Sequence, residues 1–399
     1  MVFAFTTRYA DFSLNYKPQT IIGLLWVIWG LMTFAANGFK TKNVYSHDSI
    51  NMLFWIILPY VVIHVYTILL MVIGVVSFSY FTTNLSVYIP VMMAVLSVYL
   101  FKEKALKYNY VALILSWLLS VVVAVCVKGL GIIPHAIIEA YVEHSTTSYG
   151  YTRNYLEFHD IIYATGYIFI YLVCTKSEKI LGVLKNKKTY FIIAFIITFL
   201  GVKRIGLFAL IVTIIFYWII SRKPLIKQYR ICIFSGFLGI FLCYLFVYIV
   251  SSGVFEQVLR AYHINDSGRF LYLLAALQYS EFNVGFLGIG RNVLMSLFHT
   301  DLSYLNVDAP HSDIIKMYVE NGFLMFGAWA SYFLVILVKV IKNRFGYKSA
   351  VMYFCIIMYT FICYLTENNE IFFVSNIFLY STVVAYCVQQ HRNKQNGSD

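Results

Sequence analysis

Long apolar stretches separated by short polar connections run through almost the whole sequence. About 20 consecutive apolar residues are needed for a helix to cross the roughly 30 Å hydrocarbon core of a membrane. Stretches of this kind, checked against the charge of their connections, predict about eleven spans, within a range of about 10–12. The predicted spans lie near residues 19–37, 52–78, 83–101, 108–127, 158–175, 190–202, 205–220, 229–251, 321–341, 349–366 and 370–388.

The alternating pattern of a membrane β-barrel is absent, so every span is predicted to be α-helical. The expected fold class is therefore all-α, with residues 1–399 forming one polytopic membrane domain. Two interpretations stay open for residues 1–14, which suit either a shortened first span or a segment on the membrane surface. Nothing in this stretch resembles a cleavable secretory signal peptide, which needs a basic start, an apolar core and a small-residue cleavage site.

Composition supports the same class. The chain is 61% hydrophobic and only 12% charged, and its mean hydropathy is +0.75. Soluble domains are typically about 45–50% apolar and about 25% charged. The net charge of +12 does not point to nucleic acid, because no basic stripe outside the spans carries interleaved aromatic residues.

The basic residues instead predict the orientation in the membrane. They are concentrated in the connections 102–107, 176–188, 221–230 and 339–348, whereas 128–160, 252–320 and 367–370 are net acidic. Basic connections stay in the cytoplasm by the positive-inside rule. Residues 252–320 are therefore predicted to form one large external loop between spans. Its interrupted apolar positions favour short helices lying on or dipping into the membrane.

Two adjacent cations interrupt the apolar stretch 190–220. Both flanks of this stretch are basic, so the chain should cross twice, with arms of only about 14–16 residues each. Gly201 and Gly206 bracket Lys203-Arg204 and permit a tight turn below the outer surface. Charges at such a depth usually face a cavity or a partner. The two side chains either reach the headgroups or bind an anion such as a diphosphate, with Arg204 better suited because of its fork of donors.

The external loop contains further candidate binding residues. Ser267-Gly268-Arg269 precedes a helix-like run, so Arg269 would occupy a first turn, where a cation is unfavourable unless an anion shares the site. The glycine-rich stretch 285–290 predicts a turn before a helix starting at Arg291. Its exposed amides could help to bind phosphate. Tyrosines of the outer segments suit either sugar stacking or the membrane interface, and they are Tyr141, Tyr149, Tyr151, Tyr155, Tyr262, Tyr272 and Tyr279.

His311 is the candidate general base. Pro310-His311-Ser312-Asp313 precedes a helical run, so His311 should stand at a helix start, where the neutral imidazole able to accept a proton is favoured. The alternative is a purely structural histidine. The competing or supporting residues in the same loop are Glu281, Arg291, Asp308, Asp313 and Glu320. The seven cysteines lie singly in apolar spans without metal-ligand spacing, so we expect no metal site.

Three motifs together resemble one bacterial superfamily. They are, in order, Val202-Lys203-Arg204-Ile205-Gly206, then Ser267-Gly268-Arg269 with the stretch 285–290, then Pro310-His311-Ser312-Asp313-Ile314-Ile315 running to Glu320-Asn321-Gly322. Over residues 190–345 the chain resembles the bacterial O-antigen and capsule polymerase family and the related O-antigen ligases. It departs from the family pattern at Lys203, where serine is common, and at Ser312, where asparagine is frequent.

The resemblance implies a membrane glycosyltransferase that needs no cofactor and no metal. Arg204 and Arg269, with Lys203, would bind the diphosphate of an undecaprenyl-diphosphate-linked oligosaccharide, and His311 would activate the acceptor hydroxyl. The acceptor would be a second lipid-linked repeat unit. A chain-length regulator and membrane lipids would be the partners, and the site would face outward from the bacterial cytoplasmic membrane.

Two alternatives remain beside the polymerase. A ligase would move the finished polymer to a lipid core or another acceptor, and a flippase would carry lipid-linked oligosaccharide across the membrane. A flippase is expected to distribute charges through many spans around a pathway, whereas this chain concentrates them in one external loop.

Overall fold

The computed structural model describes residues 18–38, 44–78, 87–131, 134, 159–175, 187–200, 203–261, 269–305, 307 and 309–395. All regular structure in these ranges is helical, and they contain no strand. The α-helices are α1 Pro18–Ala36, α2 Val44–Val72, α3 Tyr88–Phe101, α4 Ala105–Lys128, α5 His159–Cys174, α6 Lys187–Leu200, α7 Arg204–Ser221, α8 Leu225–Ser251, α9 Val254–Ala261, α10 Arg269–Leu277, α11 Val293–His299, α12 Asp313–Ser331, α13 Leu337–Phe345, α14 Tyr347–Tyr364 and α15 Phe373–Gln395.

Six helical stretches among the described residues are long and apolar enough to cross a membrane. They are His47–Val72, Ala105–Val123, Arg204–Ser221, Leu225–Ser251, Asp313–Phe345 and Tyr347–Tyr364. Shorter apolar helices cover Thr20–Ala36, Tyr88–Phe101, Ile161–Cys174 and Lys188–Phe199. The all-helical class is confirmed, and the count of about eleven spans stays a prediction. Residues 1–14 and most of the acidic connection 128–160 lie outside the described residues, so the predictions for them are not addressed by the structure.

The described residues form two compact units. Unit 1 comprises those of Met1–Phe54, Val87–Ile219 and Ile371–Asp399, and unit 2 comprises those of Trp55–Ser86 and Ile220–Glu370. The boundary falls within α2, between Phe54 and Trp55. Each unit is described by itself.

Aromatic side chains at helical spacing build the core of unit 1. Tyr163, Tyr167 and Tyr171 recur every four residues along α5, which places them on one buried face. Tyr171 meets Tyr386 of α15 edge to face, with ring centroids 6.0 Å apart. Helix α15 also packs against α3 and α4, while α1 packs on α3 and α6 packs on α5.

One polar contact joins the ends of two helices in unit 1. The buried carboxylate of Asp48, in the first turns of α2, lies 2.5 Å from Nδ1 of His391 in α15. The carboxyl-terminal turns of α15 and the first turns of α2 therefore lie at the same end of unit 1.

The core of unit 2 lies where α8 packs against α12 and α14. The rings of Trp329 and Phe361 stack at 5.1 Å between α12 and α14. A short π-helical turn, Tyr332–Ile336, separates α12 from α13. The Phe333 carbonyl in this turn accepts a hydrogen bond from the Tyr353 hydroxyl at 3.0 Å, so the irregular backbone keeps a polar partner inside the protein.

Short helices lie within residues 252–320, and the external position of this region stays a prediction. Helices α9, α10 and α11 are all shorter than ten residues, and α10 and α11 pack against α12. Helix α12 starts at Asp313 and runs through Glu320, the residue at which the predicted loop ends. Its first turns carry Asp313, Lys316 and Glu320, whose charges place this part of the helix outside the apolar stretch 321–341.

The orientation from loop charge gives a prediction that can be tested within unit 2. We expect position 227, in a basic connection, to lie in the cytoplasm and position 299, in the acidic loop, to lie outside. Single cysteines at these positions, in a variant without the native cysteines, should react accordingly in intact cells. A membrane-impermeant thiol reagent should label position 299 alone, and labelling of position 227 alone would reverse the orientation.

Candidate functional site

The candidate site is built around the start of α12 in unit 2. Ser312 caps this helix, because its hydroxyl accepts a hydrogen bond from the Ile315 backbone N–H at 3.3 Å. The same hydroxyl donates to the Tyr364 carbonyl at 3.1 Å. Serine is favoured here because its oxygen satisfies an N–H that the first turn leaves open. The helix start is thereby bound to the end of α14, and His311 stands directly before it, as predicted.

His311 has an unusual backbone conformation. Its φ is 57°, in the left-handed region that few residues other than glycine adopt, although asparagine, aspartate and histidine do so more often than most. The side chain is half-buried, and its ring centroid lies 5.8 Å from that of Tyr272. The chain thus turns sharply at His311, and the imidazole is packed against the ring of an α10 residue.

Arg269 begins α10, as the sequence predicts, and one edge of its guanidinium is held by the segment after α14. Nη1 donates to the Thr366 carbonyl and Nη2 to the Glu367 carboxylate, both at 3.2 Å. The side chain is 30% exposed, whereas that of Glu367 is 3% exposed. Since Tyr272 lies one helical turn after Arg269, both side chains share a face of α10.

The segment that follows α14 is bound to the first residue of α12 by two hydrogen bonds. The Asp313 backbone N–H donates to the Glu367 carbonyl at 3.2 Å. The Glu370 backbone N–H donates to Asp313 Oδ2 at 2.7 Å. The polypeptide carrying Glu367 and Glu370 is therefore fixed against the helix start beside His311.

A cluster of five buried charged residues lies behind this start. The Glu370 carboxylate pairs with the Arg291 guanidinium through one oxygen and with Lys316 Nζ at 3.1 Å through the other. Arg291 also donates to the Met317 sulfur at 3.0 Å. Asp313 and Glu320 complete the cluster, in which every member is at most 3% exposed. Two cations thus meet three carboxylates in the protein interior.

The charge of Glu370 is maintained by its neighbours. Burial by itself raises the pKa of the Glu370 carboxyl, but Arg291 and Lys316 outweigh burial and lower the pKa to about 2. Burial lowers the pKa of Arg291, and the carboxylates of Glu370 and Glu320 raise it above its usual value. Both partners are therefore ionised at neutral pH.

Three of the residues predicted to compete with His311 or to support it are too buried to touch a substrate. Arg291, Asp313 and Glu320 are all buried, and Arg291 serves as the partner of Glu370. The Glu320 carboxyl lies near the Asn292 backbone N–H and near the charges of Lys316 and Arg291. Neither of its oxygens makes a hydrogen bond of normal geometry. Glu281 differs because it is exposed and accepts a hydrogen bond from Asn283 at 2.7 Å.

Two amides of the glycine-rich stretch, which was predicted to expose its amides to phosphate, are bound within the protein instead. The N–H groups of Ile289 and Gly290 donate to the Val319 and Glu320 carbonyls, at 3.1 and 2.8 Å. In return, Phe323 donates to the Phe286 carbonyl at 2.9 Å. These bonds satisfy the backbone where α12 is interrupted at Gly322. The following helix, α11, begins at Val293 instead of Arg291.

Gly322 permits this interruption, and we expect its replacement to be costly. Its φ of 74° and ψ of 177° fall in a region that residues other than glycine occupy at a cost of about 1–3 kcal/mol. A Cβ atom would also collide with the Phe286 and Leu287 backbone. Gly322→Ala should therefore lower the free energy of unfolding in detergent micelles by more than this strain alone.

Gly253→Ala is the matched control for that measurement. Gly253 has the same φ of 74°, but nothing lies within 4 Å of the position of its added Cβ. We expect a clearly smaller loss for this variant. Equal losses for the two variants would show that close packing of the stretch 286–290 against α12 contributes nothing.

Lys203 and Arg204 lie in unit 1, at the start of α7. Helix α6 ends at Leu200 and α7 begins at Arg204, which agrees with the predicted break. Helix α6 has 14 residues as predicted, but α7 has 18 and is long enough to cross a membrane. The two cations differ, because Lys203 is buried and Arg204 is exposed. Gly206 lies inside α7, where an added Cβ would lie 3.3 Å from the Tyr163 ring, so it serves packing instead of the turn.

Several functional candidates were missed from the sequence. Glu367 and Glu370 were interpreted only as a loop charge, and Lys316 was not singled out. The spacing of Asp313, Lys316 and Glu320 in an otherwise apolar run is the signal that indicates one polar helix face. Gly201, Ser267, Gly268 and Asp308 lie outside the described residues, as do the predicted tyrosines other than Tyr272 and Tyr279.

Among the described residues, no three His, Cys, Asp or Glu side chains are grouped so that they could hold a metal ion. Comparison with known protein families, with curated proteins and with solved structures finds no match. The fold and the apolar helices define an all-helical protein suited to a membrane. Any more specific function is inferred from the site.

Proposed function

We propose that the protein is a polysaccharide polymerase of the bacterial cytoplasmic membrane. It would transfer glycan from undecaprenyl diphosphate onto another lipid-linked oligosaccharide repeat unit at the outer face. The observation that carries this proposal is the convergence of Arg269, Tyr272 and His311. Tyr272, one turn after Arg269 on α10, packs against the His311 ring at 5.8 Å.

The residues at this position match the chemistry of glycosyl transfer from a lipid diphosphate. The reaction needs donors for the leaving diphosphate and a base for the proton of the acceptor hydroxyl. Arginine carries five N–H donors, and the hydrogen bonds to Thr366 and Glu367 engage two of them. Arg269 is also 30% exposed, so a phosphate can approach its other donors. His311 supplies an imidazole at the start of a helix.

Deletion of the gene in the source bacterium tests the proposal against its alternatives. We expect surface polymer to be lost and single repeat units to accumulate on undecaprenyl diphosphate at the outer face. Accumulation of long polymer on undecaprenyl diphosphate would indicate a ligase. Single units confined to the cytoplasmic face would indicate a flippase. Extracted lipid-linked saccharides, analysed by mass spectrometry with and without enzymatic treatment of intact spheroplasts, distinguish these outcomes.

The diphosphate-binding role of Arg204 and Arg269 is tested by lysine and alanine variants of each. Lysine keeps the charge but loses the planar fork, so transfer should fall sharply in all four variants at a normal protein level. In the assay, purified protein extends lipid-linked repeat units taken from the deletion strain. If Arg204→Lys and Arg204→Ala both extend the repeat units at the wild-type rate, Arg204 does not bind the diphosphate. The same result for the two Arg269 variants would mean that Arg269 has only a structural role.

A further inference from the structure

Glu367 holds Arg269 from inside the protein. Its buried carboxylate accepts from Nη2, and the carbonyl of the preceding residue, Thr366, accepts from Nη1. Two consecutive residues thus bind neighbouring nitrogens of one guanidinium. Because the group is planar, the bonds to its two terminal nitrogens fix the plane, and three further N–H donors of this partly exposed side chain remain for a ligand.

The segment that carries Glu367 is itself held by hydrogen bonds. The Glu367 carbonyl accepts from the Asp313 backbone N–H, and the Glu370 N–H donates to the Asp313 side chain. The Glu370 carboxylate in turn binds Lys316 and Arg291, which are buried. Asp313 is two residues after His311, so one connected frame sets the positions of both His311 and the partner of Arg269.

We infer that Glu367 is a positioning residue that orients Arg269 for a diphosphate bound beside His311. This inference rests on the proposed function. A long arginine side chain without a partner samples many rotamers and loses that freedom when it binds an anion, which weakens binding. Because Glu367 already orders the Arg269 side chain, less conformational freedom is lost when the ligand binds. Its charge also acts in the opposite direction, because a carboxylate near a diphosphate repels it.

The two effects are separated by comparing glutamine and alanine at position 367. Glutamine keeps an acceptor for Nη2 without the charge, whereas alanine removes both. We expect Glu367→Ala to weaken binding of undecaprenyl diphosphate by roughly 2- to 10-fold, the range for losing one pre-ordered long side chain. Glu367→Gln should restore most of the affinity. Binding is measured with undecaprenyl diphosphate titrated into the purified full-length protein in lipid nanodiscs.

A double-mutant cycle tests whether Glu367 acts through Arg269. In an Arg269→Ala background, Glu367→Ala should cause no further loss of affinity. Asp301→Ala, which removes an exposed carboxylate of the same loop, is the control and should leave binding unchanged. Melting temperatures of all variants identify any loss caused by misfolding.

The outcomes separate this inference from the proposed function. Equal or tighter binding by Glu367→Ala, with the wild type binding normally, overturns the positioning role alone. An equal loss in the Arg269→Ala background does the same. Absence of binding by the wild type overturns both the inference and the proposed function. If Arg269-dependent and Glu367-dependent binding is found but the deletion strain still makes normal polymer, the positioning role stands and the polymerase proposal fails.

Discussion

Replacing His311 with asparagine is expected to slow glycan transfer by about 10²–10⁴-fold, the usual contribution of a general base. Asparagine is the sharper substitution because it also tolerates the left-handed φ of 57° at this position. The ring contact with Tyr272 is lost, but the side chain is only half-buried, so we expect the protein to fold. Single-turnover extension of lipid-linked repeat units measures the transfer step directly.

His311→Ala gives a second measure of the same role. Alanine adopts a positive φ less readily, so this variant should show the same loss of transfer with a somewhat lower melting temperature. Both variants should bind undecaprenyl diphosphate nearly as well as the wild type. Near-normal transfer by His311→Asn would remove the histidine from the chemistry. A fall in expression without a fall in specific activity would indicate a structural histidine.

The buried carboxylates are poor competitors for the role of general base. Asp313 and Glu320 are fully buried, and Asp313 binds the Glu370 backbone, so neither can approach a sugar hydroxyl as the structure stands. Glu281 is exposed and remains a competitor. Glu281→Gln should therefore retain transfer if His311 is the base, and loss of transfer in this variant alone would assign the proton to Glu281.

The features predicted correctly are those that depend on local sequence. The all-helical class follows from the length of the apolar stretches, because membrane spans must satisfy their own backbone hydrogen bonds. The helix starts at Arg269 and directly after His311 follow from the residues that precede them. These signals are contained in a few consecutive residues, so a single sequence reveals them.

The partners of the site residues could not be predicted because they are distant in the sequence. Arg269 and Glu367 are 98 positions apart, and Arg291 and Glu370 are 79 apart. Loop charge counted Glu367 and Glu370 only as part of an acidic connection, and nothing in it indicated that both side chains are buried. The amides of 289 and 290 were expected to be open, but they replace the bonds that α12 loses at Gly322. Pairing across a fold is decided by packing, which apolar length does not encode.

Glu370 should be the most costly of the five clustered residues to remove. Its carboxylate is shared by Arg291 and Lys316, and breaking a buried ion pair from one side typically costs about 3–5 kcal/mol, since a charge is left without its partner. Glu370→Gln should lower the free energy of unfolding by about this amount. The substitution should also loosen the segment that carries Glu367, so we expect the affinity for undecaprenyl diphosphate to decrease as well.

Glu320→Gln is the matched control because it removes the same charge from the same cluster. Glu320 lies among the same charged residues, but unlike Glu370 it holds neither cation by a direct hydrogen bond. We expect a clearly smaller loss than for Glu370→Gln, because no direct ion pair is broken. Equal losses for Glu370→Gln and Glu320→Gln would mean that total charge, and not the shared carboxylate, stabilises the cluster.

The same pair of variants gives a dependence on pH with a defined sign. The pKa of Glu370 is lowered from 4.5 to about 2, so its ionisation stabilises the folded state fully above about pH 4.5. That stabilisation is lost as the pH falls from there through about 2, because the folded state must then take up the proton against Arg291 and Lys316. The difference in melting temperature between the wild type and Glu370→Gln should therefore be constant from pH 7 to about 5 and shrink below that. A difference that stays unchanged at pH 3 would show that the carboxylate is not held ionised by these two cations.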